Sequence, residues 1–216
     1  MAFSTVTIPG GTLPMTAELF KPSVTAPAGL VVIAYVTDGK KDPWTGMMRG
    51  YAEDLAKGGV FALIPDYFAR TGSPHGGGAA GHIAATHDEW VTALVDTVAF
   101  ARSFPASMAL TSGCWDSRLA GIFVCGARAA AKPTALVEYF APMFEGVGAP
   151  GSVPDVQIHH GTQDKPPTGF LNAKKQSILR MEGMDVTLYP TRTPRTALPR
   201  KTLPTRAPPR FRKAGR

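Results

Sequence analysis

Cys125 and Asp164 are the two side chains of this sequence whose surroundings point to nucleophilic chemistry. A cysteine thiolate can attack a carbonyl carbon and hold the acyl group as a covalent intermediate. Cys125 closes the apolar run Leu119-Ala-Gly-Ile-Phe-Val and is followed by Gly126-Ala-Arg-Ala-Ala-Ala131. A strand that runs into small residues and then into a helix former resembles a nucleophile elbow, where a tight turn presents the attacking atom. The turn demands small residues two positions before and two positions after the nucleophile. Ala127 meets this demand and Phe123 does not. With one gap, Gly126 falls on the second motif glycine and Val124 on the nucleophile position, where valine offers no chemistry. A buried structural cysteine is the alternative reading of Cys125.

Asp164 ends the segment His159-His160-Gly161-Thr162-Gln163-Asp164. A carboxylate at a strand tip can orient a histidine arriving from a later loop. Paired histidines also raise the question of a metal, but no Cys, Asp or Glu stands at ligand spacing, so none is expected. His159 reads as a packed strand side chain. The third segment, Val36-Thr37-Asp38-Gly39, follows an apolar run and has backbone amides able to hold a developing oxyanion. Val36, Thr37 and Gly126 are therefore the candidate oxyanion and substrate-loop residues, with a plain turn as the other reading of 36–39. His75, His82 and His87 precede the segment and read as surface residues. None of the five histidines follows Asp164, where the chain order nucleophile, acid, histidine requires one.

These residues need a scaffold, and the apolar pattern supplies one. Leu30–Val36 is a continuous apolar run, as expected of a strand buried on both faces. Val60–Ile64, Ser117–Cys125, Ala135–Phe140, Val156–His159 and Asp185–Tyr189 read as further strands. Trp44–Lys57 has helical spacing and ends at Gly58-Gly59, a helix stop. Thr86–Arg102 reads as a long amphipathic helix with a capping box at Thr86 and Glu89, and Phe170–Met181 as another helix. Residues 72–81 read as a mobile glycine-rich loop. Thr5–Ile8 and Ala17–Phe20 form an expected antiparallel pair. Strands alternating with helices predict an α/β fold: a mostly parallel sheet with helices on both faces.

Composition narrows the partners. The formal charge is +7 over 216 residues. Nine of the 23 basic residues lie in 191–216, which has no acidic residue, so the body carries 14 basic against 16 acidic groups. The basic charge belongs to a tail that can hold polyanions weakly, and no specific nucleic-acid binding is expected. Two cysteines make no disulfide framework. No leader pattern and no membrane-length apolar run is visible, so a cytoplasmic protein without membrane contact is expected.

Taken together, Ala34–Gly39, Ala62–Phe68, Asp116–Leu119, Leu136–Pro142 and His160–Asp164 resemble segments of the dienelactone hydrolase family of α/β-hydrolases. The resemblance spans roughly residues 15–190, and Pro65-Asp66-Tyr67 and His160-Gly-Thr-Gln-Asp164 are its most specific parts. It implies an α/β-hydrolase domain over 1–190 that hydrolyses small-molecule esters or lactones without a cofactor. Asp164 then matches the triad acid and Cys125 the nucleophile. The triad histidine has no match. Where the family continues into a histidine loop and a closing helix, this chain continues into a tail with prolines at 194, 199, 204, 208 and 209. Those prolines leave no room for a helix longer than about one turn. The last helix is therefore expected to be missing, the tail disordered, and activity impaired. A shifted reading frame or a C-terminal replacement would produce such an end.

Overall fold

The computed structural model describes residues 3–23, 29–35, 39–76, 82–104, 110–115, 135–139, 155–161 and 186–191. Their strands form one eight-stranded sheet in the order β1-β2-β4-β3-β5-β6-β7-β8. The strands are β1 Ser4–Ile8, β2 Met15–Phe20, β3 Leu30–Ala34, β4 Phe61–Pro65, β5 Leu110–Trp115, β6 Ala135–Tyr139, β7 Asp155–Gly161 and β8 Val186–Thr191. β1 pairs antiparallel with β2, and β2 antiparallel with β4. Every pairing from β4 through β3 to β8 is parallel. The fold class is the expected one, a mostly parallel α/β sheet of the α/β-hydrolase type.

β3 is buried at all five positions. A strand with no exposed residue must be covered on each face, which is why its sequence is apolar throughout rather than alternating. Helix α1, Trp44–Lys57, buries Thr45, Met48, Ala52 and Ala56, one face at a spacing of three to four residues. Its C-terminus closes through Gly58 N–H to Asp54 O (3.0 Å), Gly59 N–H to Ala56 O (3.1 Å) and Val60 N–H to Leu55 O (2.9 Å). Gly59 takes φ +87°, a left-handed conformation that a side chain would strain. Helix α2, Ile83–Ala101, buries Trp90, Ala93, Leu94, Thr97, Val98 and Ala101, again one continuous face.

One sequence expectation changes, and one strand is present that the apolar pattern does not mark. α2 begins at Ile83, so Thr86 lies inside the helix and its hydroxyl donates to the His82 carbonyl (2.9 Å) rather than capping the N-terminus. The residues before Thr86 continue the helix, and a serine or threonine caps only where the backbone leaves the helical region. The strand between β3 and β6 is Leu110–Trp115, with Leu30 opposite Leu110, Ala34 opposite Cys114, and Cys114 opposite Glu138. The expected strand Ser117–Cys125 lies outside the described residues, as do the expected helix Phe170–Met181 and residues 192–216. β8 extends through Thr191, one residue into the basic segment.

Candidate functional site

Strand order locates the crevice. From β3 the chain moves outward to β4 on one side, then returns to β5 on the other side of β3. The loops leaving the carboxyl ends of β3 and β5 therefore diverge, and ligands of open α/β sheets bind at such a switch point. The segment after β3 is the candidate oxyanion loop. β7, two places beyond β5 in the same parallel set, ends at Gly161, and Asp164 follows it by three residues in sequence. Val36, Thr37, Cys125, Gly126 and Asp164 themselves lie outside the described residues.

The described side chains at this edge form one polar and aromatic cluster. Tyr35, the residue after β3, donates its phenol proton to Asp66 Oδ1 (2.8 Å), and its oxygen accepts the Phe68 amide (3.1 Å). Burial pushes the Tyr35 phenol well above its ordinary value, with Tyr67 and Asp66 adding to the shift, so it stays a proton donor. The Tyr67 hydroxyl donates to the Tyr35 carbonyl. Beneath them Tyr35 stacks on Tyr67 (4.3 Å, 15°) and Phe68 stacks on Trp90 (4.5 Å, 18°). Asp66, the residue after β4, also faces Lys40 Nζ (3.6 Å) and His75 Nε2 (3.4 Å).

His75 is exposed, as the sequence leads one to expect, but it is tied to this cluster by contacts that the sequence does not show. Its Nδ1 accepts the Lys40 backbone N–H (3.0 Å), and its ring stacks on Phe68 (5.4 Å, 13°). Because Nδ1 accepts, the neutral ring carries its proton on Nε2, on the side of Asp66. The signal available in sequence was Pro65-Asp66-Tyr67-Phe68 beside a lone histidine, and nothing local ties that histidine to residue 40. His82 is exposed, and His87 pairs with its neighbour Asp88 (2.8 Å).

Lys40 also reaches Glu18 (3.1 Å), which Arg49 grips with two hydrogen bonds, Nε to Oε2 (2.7 Å) and Nη2 to Oε1 (2.9 Å). Burial pushes the Glu18 carboxyl up, but the Arg49 hydrogen bonds and the Lys40 charge outweigh it and hold Glu18 below its ordinary value. A carboxyl lowered on folding stabilises above its unfolded pKa of about 4.3, and that contribution is lost as pH falls through the folded value. Glu18→Gln is expected to lower stability at pH 7 by about 1.5–3 kcal/mol, the worth of hydrogen bonds to a charged group. Urea titrations should show the gap between Glu18→Gln and wild type closing below pH 4. An equal gap at pH 3 and pH 7 would refute the assignment.

Among the described residues no three His, Cys, Asp or Glu side chains converge as a metal site. Among them, too, no helix is long and apolar enough to cross a membrane.

No family model matches the chain, and no curated protein sequence matches it. Solved structures do. Dienelactone hydrolase from Anabaena variabilis superposes with a TM-score of 0.63 at 15% identity, over 87% of this chain and 85% of that one. A dienelactone hydrolase-like promiscuous phosphotriesterase from metagenomic libraries gives 0.65 at 17% identity, over 88% and 82%. A serine α/β-hydrolase without a lid from Xanthomonas campestris gives 0.62 at 14% identity, over 88% and 84%. The architecture built up from β3, its switch point and the parallel strands beyond it is thus the α/β-hydrolase fold that these structures share.

Proposed function

We propose that the chain is a dienelactone hydrolase-like hydrolase of small carboxylic esters or lactones, cytoplasmic and independent of any cofactor. The observation that carries this reading is the switch point between β3 and β5, on a fold shared with dienelactone hydrolases. The thiolate of Cys125 attacks the ester carbonyl, and amides of Val36, Thr37 and Gly126 hold the oxyanion. The alcohol leaves with a proton, and water then cleaves the thioester to release the acid and restore the thiol. Asp164 is the acid of the triad. No histidine follows it, so proton transfer lacks its usual carrier and turnover is impaired. Losing one triad member can cost on the order of 10⁶ in turnover, while about 10³–10⁴ over water can remain from the oxyanion site and binding.

The absence of that histidine favours a second reading, a non-catalytic α/β domain that binds a small ester or acid. One experiment separates the two. The full chain is assayed on an aryl ester with and without added imidazole, beside Cys125→Ala and Cys114→Ala. The hydrolase reading expects slow turnover that imidazole raises, that Cys125→Ala removes and that Cys114→Ala keeps. Cys114 is the informative control, since it lies in β5 next to the switch point. Equal rates for wild type and Cys125→Ala, with or without imidazole, would leave the binding domain as the answer.

A further inference from the structure

We infer that His75 is a positioning residue for the loop between β3 and α1, holding the segment that carries Val36 and Thr37. The inference rests on the reading of that segment as the oxyanion loop and adds a residue to it that no triad logic supplies.

Four contacts converge just beyond the segment. The Lys40 amide is held by His75 Nδ1 (3.0 Å), and the Lys40 ammonium by Glu18 (3.1 Å) and Asp66 (3.6 Å). Lys41 N–H closes a turn onto the Gly39 carbonyl (3.0 Å). Gly39 takes φ +66°, and a Cβ there would fall on the His75 ring. Glycine at 39 is thus required twice, by its left-handed backbone and by the approach of the imidazole. On its other side Tyr35 is locked by Asp66, Phe68 and Tyr67. The described residues on either side of 36–38, Tyr35 and the Gly39–Lys41 turn, are thus both fixed, and His75 is the clamp on the second.

The clamp itself is held in place. The His75 ring lies between Phe68, parallel at 5.4 Å, and Tyr35, edge-on at 6.0 Å, with Nε2 toward Asp66. Each of these partners is anchored to the core, Phe68 through Trp90 and Asp66 through its amide on the Thr16 carbonyl (2.7 Å). An oxyanion loop works only if its amides are already aimed when charge develops. A histidine that accepts one loop amide while stacked on the core supplies that pre-orientation without touching substrate.

The test uses the full chain with His75→Ala and His75→Asn, since an asparagine Oδ1 can take the place of the imidazole Nδ1 as acceptor. Two readouts are followed: exchange of the Lys40 amide proton by two-dimensional NMR, and kcat and KM on an aryl ester. His75→Ala is expected to speed Lys40 exchange about tenfold, the fold-change that one lost amide hydrogen bond corresponds to. It is also expected to lower kcat by about 10- to 100-fold, the scale of a misplaced reacting geometry, with KM little changed. His75→Asn is expected to restore most of both. Unchanged Lys40 exchange in His75→Ala would overturn the clamp, and so would an asparagine variant as impaired as the alanine one. A freed Lys40 amide with wild-type kcat would overturn the link to the oxyanion loop. Failure of the hydrolase reading shows separately, as absence of any turnover that depends on Cys125. In that case the Lys40 exchange rate alone decides whether His75 holds the loop.

Discussion

Trp90→Ala is expected to lower the stability of the fold by about 3–5 kcal/mol, the range for removing a large buried aromatic. Trp90 is fully buried on α2 and lies against the 3₁₀ turn Tyr67–Arg70 rather than against the sheet alone. Its indole stacks on Phe68 at 4.5 Å and meets Tyr67 edge-on at 6.0 Å. Its Nε1–H donates to Thr71 Oγ1 (2.9 Å), which in turn lies 2.7 Å from Ser73 Oγ. Truncation would open a cavity beneath the aromatic floor of the candidate site, while Thr71 Oγ1 would keep the Phe68 carbonyl (3.1 Å) and Ser73 Oγ as partners. Trp90→Phe keeps the ring and loses the hydrogen bond, so it should cost less than half as much. Urea unfolding of the three proteins reads both values. A loss below about 1 kcal/mol for Trp90→Ala would mean that the stack does not carry the packing assigned to it.

Asp66→Ala is the second large effect, at about 1–3 kcal/mol, because removing the carboxylate leaves a buried donor without its acceptor. Tyr35 is fully buried and would be left with a phenol proton and no acceptor. Lys40 would keep Glu18, so its charge is only partly stranded. Asp66→Asn separates the two contributions: its amide oxygen can still accept from Tyr35, while the attraction for Lys40 is lost. The expected order of stability is wild type, then Asn, then Ala, with the larger step between the last two. Urea midpoints that place Asn and Ala together would show that the ion pair, not the phenol, dominates the site.

The helices and most strands were legible in the residues alone. Trp44–Lys57 matches its expected bounds because Met48, Ala52 and Ala56 repeat at helical spacing and a glycine pair follows. β3, β4, β6, β7 and β8 follow runs of apolar or β-branched residues, and β1 with β2 follows two short alternating ones. The resemblance to dienelactone hydrolases, drawn from segments such as Pro65-Asp66-Tyr67, agrees with structures only 14–17% identical in sequence. The start of α2 was less legible, since threonine and glutamate three apart mark a cap only where the backbone breaks, and here it does not break.

What the chain's order of residues determined by itself was its alternation of strands and helices and the chemical types it can bring to a strand end. Those properties rest on contacts within one turn or one strand, where periodicity decides burial. The tertiary structure alone decided that Leu110–Trp115 is the strand beside β3, and that His75 clasps the amide of Lys40 across 35 positions of chain. Both are settled by partners distant in sequence: a strand by the edges already waiting for it, and an imidazole by the rings and carboxylate that fix its plane.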